Sequence, residues 1–166
     1  MSRRVSLEEI RTSEIVYVKE IMRSDVKTAR PDSSVLEVVE DMNRYNVGSI
    51  VVVQGRRPVG IVTEEDVLRK CVERCLDPSR CKAKDIMTTP TMTAKEDTTL
   101  EEATSLMVTH RIRRIPVVRG AELVGIITAT DLIENKPSLV QRLGKSAWGC
   151  KNRDHGNARI ERLGQP

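Results

Sequence analysis

The apolar positions change period at regular points along the chain. Val35, Val38, Val39 and Met42 recur at helical spacing just after Ser34, and Ser34 with Glu37 has the Ser-x-x-Glu form of a capping box. A helix is therefore predicted from Ser34 to about Asn46. Residues 49–53 are a short run rich in β-branched side chains, as expected of a buried strand. Gln54-Gly55-Arg56-Arg57 then turns the chain into a return strand, Pro58–Thr63, to complete a hairpin. A short strand at Val26-Lys27-Thr28-Ala29 precedes this unit. A helix from Thr63 or Glu64 to about Arg74 follows it.

The same pattern returns 65 residues later. Thr91–Ala94 is the short strand, Thr99-Leu100-Glu101-Glu102 the capping box, and the helix runs to about His110. Arg114–Val118 is the next strand, Arg119-Gly120-Ala121 the turn, and the return strand ends at Thr128, where a last helix begins. Residues 18–70 align with 83–135 without a gap. Ile21-Met22 matches Ile86-Met87, Met42 matches Met107, and Thr63 and Asp66 match Thr128 and Asp131. Roughly a third of the aligned positions are identical, which marks an internal repeat. Two copies of one unit are expected to bury their apolar faces on each other around a pseudo-twofold axis, with function where they meet. The expected divisions are an N-terminal extension 1–17, which carries a short amphipathic helix around Leu7 and Ile10, repeat 1 at 18–74, a linker at 75–82, repeat 2 at 83–136, and 137–166. The last segment is read as a short helix (Leu139, Val140, Leu143) and a flexible polar tail.

Composition narrows the function. Each repeat is too short to hold a secure core alone, so the halves of this 166-residue chain are expected to fold as one body. With no Phe, one Trp and two Tyr, the chain has few platforms on which single-stranded nucleic acid would stack. The net charge of +4 comes from 28 basic and 24 acidic residues, a mixed surface rather than a nucleic-acid footprint. No apolar run approaches the ~20 residues that span a bilayer. The opening Met-Ser-Arg-Arg turns polar at once, so no signal peptide is read and a cytoplasmic location is expected. Cys71, Cys75, Cys81 and Cys150 are then read as thiols. Their spacing lacks the paired knuckles of common metal sites, although Cys150 or His155 would be candidates to close one.

The chemically suggestive pattern is Gly-h-h-Thr-x-x-Asp (h, apolar), present as Gly60–Asp66 and Gly125–Asp131. It passes from strand to helix at the threonine, where unpaired backbone N–H groups attract anions. The threonine hydroxyl adds a donor, and the aspartate suits a ribose diol by the logic of dinucleotide sites. The same spacing is also an ordinary N-cap with a carboxylate at N3, and the two roles are compatible. No nucleophile pairing, P-loop or metalloprotease motif occurs, so no enzyme activity is expected.

These junctions, with Ile21-Met22, Ile86-Met87 and Arg114-Ile115-Pro116-Val117-Val118, resemble the CBS (cystathionine-β-synthase) domain family across residues 18–135. The resemblance implies an α+β fold: tandem βαββα repeats paired head to tail, three-stranded sheets carrying helices, and two clefts between the copies. It also implies further pairing into a homodimer. In relatives such as the γ subunit of AMP-activated kinase, residues matching Arg113 and Arg114 reach phosphates. The opposite repeat has uncharged Gly48 and Ser49 there, so unequal clefts are expected. By the same resemblance, adenine would be held near Ile21-Met22, Val26 and Thr28, near Thr91 and Thr93, and by Ile50 or Ile115-Pro116.

The leading expectation is a regulatory protein without a required cofactor. It would bind AMP, ADP, ATP or S-adenosylmethionine between the repeats, using Thr63, Asp66, Thr128 and Asp131 for sugar and phosphate and Arg113 and Arg114 for charge, and would act on a separate protein. The alternatives are a ligand-free interaction scaffold, and nucleic-acid binding through Lys145, Lys151, Arg153, Arg159 and Arg162 of the tail.

Overall fold

The computed structural model describes residues 15–137. The expected helices around Leu7 and Leu139, the tail, Cys150 and His155 lie outside these residues. In chain order the elements are α1 (Val18–Ile21), β1 (Thr28–Ala29), α2 (Val35–Tyr45), β2 (Ser49–Gln54), β3 (Arg57–Thr63) and α3 (Glu64–Asp66). A π turn (Val67–Val72) follows, then α4 (Ala83–Ile86), β4 (Ala94–Lys95), α5 (Leu100–His110), β5 (Arg114–Arg119), β6 (Glu122–Thr128) and α6 (Ala129–Asn135). They form two three-stranded sheets, β1-β2-β3 and β4-β5-β6. In each, the short strand is parallel to the central one and the hairpin is antiparallel.

Both capping boxes close as their sequence predicts. The Ser34 hydroxyl accepts from the Glu37 N–H at 3.2 Å while Glu37 takes the Ser34 N–H at 2.7 Å, and Thr99 with Glu102 repeats this at 3.2 and 2.9 Å. Each cap stabilises its helix by about 1 kcal/mol. The helices stop at equivalent residues, Asn46 and Arg111, both left-handed with φ of 51° and 54°. The hairpins turn at Gly55 and Gly120, where φ of 65° and 62° favours glycine.

Two local departures have physical causes. The helix expected from Thr63 to Arg74 stays α-helical for three residues and then widens into the π turn. That winding keeps Val67 and fully buried Cys71 on the first core and leaves Leu68 and Val72 more than half exposed. In repeat 2 the parallel ladder starts one residue late. Val51 N–H donates to Lys27 C=O, but its counterpart is Pro116, which has no N–H to give, so pairing begins at Ala94↔Val117.

The repeats exchange their lead-in segments. Val18 N–H donates to Thr98 C=O at 2.8 Å, and Val18 packs in the second core with Leu100, Ile115, Ile127 and Leu132. Ala83 N–H donates to Ser33 C=O at 2.8 Å, and Ala83 and Ile86 close the first core with Val35, Val38, Ile50 and Val62. Arg23 then pairs with Ile126 of β6, and Thr88 with Ile61 of β3, through reciprocal backbone bonds. Met22 and Met87 cross so tightly over the sheets that a Cβ on Gly125 or Gly60 would sit 2.5 or 2.3 Å from a methionine sulfur. Glycine at both positions is the condition for that approach.

Candidate functional site

The exchange brings each Thr-x-x-Asp junction against the segment that follows the other repeat's methionine. Two crevices result, both between the repeats. One, of about 280 Å3, is walled by Arg23, Asp25, Val26 and Lys27, by residues 46–49, and by Arg113, Arg114, Ile126 and residues 128–130. The other, of about 330 Å3, is walled by Ile61, residues 63–66, Arg69, Lys70, Thr88 and residues 111–114. We call them the Lys27 cleft and the Lys70 cleft. Each is near the lower size limit of small-molecule sites, enough for one mononucleotide-sized guest.

Thr63 and Asp66 border the Lys70 cleft, but the carboxylate is already engaged. One oxygen accepts from the Thr63 N–H and hydroxyl at 2.9 and 2.8 Å. The other accepts from the Thr88 hydroxyl at 3.2 Å and pairs with the Lys70 ammonium at 2.8 Å. Burial pushes the Asp66 carboxyl up, yet the hydrogen bonds from Lys70 and Thr63 outweigh it and hold the group below its ordinary value of 3.8.

In the other repeat Thr128 and Asp131 form the same cap, with N–H and hydroxyl bonds of 2.8 and 2.6 Å, and Arg23 Nε donates to the remaining oxygen at 2.9 Å. Thr128 lines the Lys27 cleft; Asp131 is 4% exposed and lies behind Arg23. Both aspartates thus face inward beside a crevice and act first as helix caps. The expected ribose acceptor is free in neither. A diol reaches Asp66 only by displacing Thr88 or Lys70, and reaches Asp131 only by moving Arg23.

Arg113 and Arg114 reach both clefts. Arg113 is exposed, whereas Arg114 lies half-buried across Gly48, where a Cβ would meet its guanidinium at 2.5 Å and Glu64 Oε2 at 3.0 Å. Burial, then the neighbouring Arg113 charge, lower the Arg114 pKa, with Glu64 opposing.

The adenine candidates are placed in different surroundings from one another. Ile50 and Ile115 are fully buried in the two cores and Pro116 is buried beside them, because β2 and β5 are central strands covered on both faces. Thr28 is exposed and borders hollows outside both clefts. Thr91 and Thr93 line neither cleft. Of the expected candidates Val26 does line a cleft; the apolar walls are Val26, Val47 and Ile126 in one and Ile61 and Ile112 in the other.

Sequence reasoning missed Arg23, Lys27, Lys70 and Thr88. A signal was present for three of them: Arg23 and Thr88 are equivalent residues directly after the paired methionines, and Lys70 is one turn beyond Asp66. Cys71 and Cys81 are buried and Cys75 is exposed, so Cys71 and Cys75 do not share a face. Among the described residues no group of His, Cys, Asp and Glu has the arrangement of a metal site, and no helix is long and apolar enough to cross a membrane.

Comparison with known proteins gives this architecture its family. The CBS domain model matches twice, at residues 18–73 and 83–137, and the chain belongs to that family as a tandem pair. It is 39% identical over 127 residues to an uncharacterized protein of Methanopyrus kandleri, covering 75% of this chain and 65% of that one. It is 34% identical over 139 residues to inosine-5'-monophosphate dehydrogenase of Methanocaldococcus jannaschii, spanning 81% of this chain but 27% of the enzyme. Among solved structures it is similar to the CBS domain pair of protein MJ0100 in complex with 5-methylthioadenosine and S-adenosyl-L-methionine. That match has a TM-score of 0.66 and 26% identity, and covers 72% of this chain and 94% of that one.

Proposed function

We propose that this CBS pair is a non-catalytic regulatory sensor that binds an adenosine-containing ligand (AMP, ADP, ATP or S-adenosylmethionine) between its repeats. The observation that carries the reading is the pair of inter-repeat crevices, each bordered by a Thr-x-x-Asp junction, that meet at Arg113 and Arg114. Apolar walls suit a base, hydroxyl donors suit a sugar, and the arginine forks suit phosphate oxygens. The adenosine-type ligands held by the similar pair of MJ0100 support this ligand class.

Because residues of both repeats wall each crevice, a bound ligand favours one relative arrangement of the repeats. It acts on other molecules by its unequal affinity for the alternatives. The reading includes a second copy of the chain, for which the exposed Leu68 and Val72, four residues apart, offer an apolar strip; a purely monomeric species in sedimentation equilibrium removes that part. The regulated target is a separate protein in the same compartment, expected to be the cytoplasm.

A ligand-free scaffold is the second reading, favoured by the internal engagement of Asp66 and Asp131. Thermal unfolding in the presence of each of the four ligands separates the two. A guest at 100 times its Kd stabilises the folded state by about 2.7 kcal/mol, a shift of several degrees. Unchanged melting with all four supports the scaffold.

A further inference from the structure

The two clefts share two of their cations, Arg113 and Arg114. The residues that align with Arg113 and Arg114 in repeat 1 are Gly48 and Ser49, so a single arginine pair serves both crevices. Arg114 is the pivot. Its guanidinium lies against Gly48, on the wall of the Lys27 cleft, with the carboxylate of Glu64, on the wall of the Lys70 cleft, close to the same glycine. It is half-buried, incompletely solvated and crowded by the Arg113 charge, so an anion on either side gains from it.

What else lines each crevice decides which side an anion prefers. The Lys27 cleft adds Arg23 and Lys27 against one lining carboxylate, Asp25, and its entering helix begins with uncharged Ala129 and Thr130 before Asp131, which is buried behind Arg23. The Lys70 cleft adds Arg69, Lys70 and Arg111, but its helix opens with Glu64, Glu65 and Asp66. Cations on both sides are already paired, Arg69 to Glu65 and Lys70 to Asp66 at 2.8 Å in this cleft, Lys27 to Asp25 at 2.7 Å and Arg23 to Asp131 at 2.9 Å in the other. The sides therefore differ in the carboxylates that line them. A phosphate entering that side meets three carboxylates; on the other side it meets one.

We propose that the chain takes one phosphate-bearing ligand at a time, in the Lys27 cleft. Seating it draws Arg113 and Arg114 to that side and leaves the Lys70 cleft too acidic for a second phosphate, though open to a guest without one. This rests on the sensor reading above and adds to it the choice of cleft and the mutual exclusion of phosphates.

The test is equilibrium dialysis of the intact chain with ATP, repeated with Lys27→Ala and Arg69→Ala, two side chains that each line only one cleft. Circular dichroism melting verifies that both variants fold. The expected result is one ATP per chain at saturation, about tenfold weaker binding in Lys27→Ala, in line with one charge-assisted contact of ~1.4 kcal/mol, and less than about twofold change in Arg69→Ala. Two ATP per chain of similar affinity overturns the exclusion and leaves the sensor reading standing. One ATP weakened by Arg69→Ala but not by Lys27→Ala puts the phosphate in the wrong cleft and overturns the assignment. Absence of binding by ATP, AMP, ADP and S-adenosylmethionine alike removes the sensor reading and this inference together.

Discussion

Asp66 carries two duties on one carboxylate: it caps α3, and it pairs with Lys70 one turn on and accepts from Thr88 across the repeat boundary. Because its pKa is held below 3.8 in the folded chain, its contribution to stability is complete above that value. It disappears as pH falls through the lower folded value. Asp66→Asn is expected to lose about 1 kcal/mol at neutral pH, the size of a forfeited cap, and to show a flatter decline below pH ~4 than the parent in urea titrations. An identical acid decline in both proteins contradicts this role. At this scale the sequence is only half legible. The Thr-x-x-Asp spacing announces the cap, but nothing local tells that Arg23 closes over Asp131 from 108 residues away. Ile50 and Ile115 are ambiguous for a related reason: a hydrophobic residue beside a functional motif suits a core or an adenine slot equally well, and here central strands place both in the core.

At the scale of elements, helices with capping boxes and hairpins with glycine turns are readable because their signals lie within a few residues of one another. The four-residue helices α1 and α4 are not, since their burial depends on partners in the other repeat. Among the described residues, the second core is completed by the segment 15–23 from before the first repeat's sheet, whereas the first core is closed by α4 just after its repeat. Val18 is fully buried in that second core, so Val18→Ala is expected to cost about 2 kcal/mol in chemical denaturation. It should loosen β4–β6 first, seen as faster amide exchange there than in β1–β3. A change below about 0.5 kcal/mol with uniform exchange rates contradicts the exchanged packing.

For the whole molecule, the gapless offset of 65 residues made the paired architecture legible without coordinates. Its consequence for function was not, because the two clefts differ in residues that the repeat does not share. Gly48 and Ser49 stand opposite Arg113 and Arg114, and Lys70 opposite Asn135. A symmetric frame thus holds asymmetric chemistry, with one arginine pair at the junction of two crevices and uneven charge on either side.

Calorimetric titration of the intact chain with AMP, ADP, ATP and S-adenosylmethionine, beside the double variant Arg113→Ala/Arg114→Ala, tests that frame most directly. Saturable heat is expected with at least one of the four, and for a phosphate-bearing ligand it should weaken at least tenfold in the variant, a loss of at least ~1.4 kcal/mol. Flat titrations with every ligand, or equal binding by parent and variant, contradict a nucleotide-sensing cleft governed by that arginine pair.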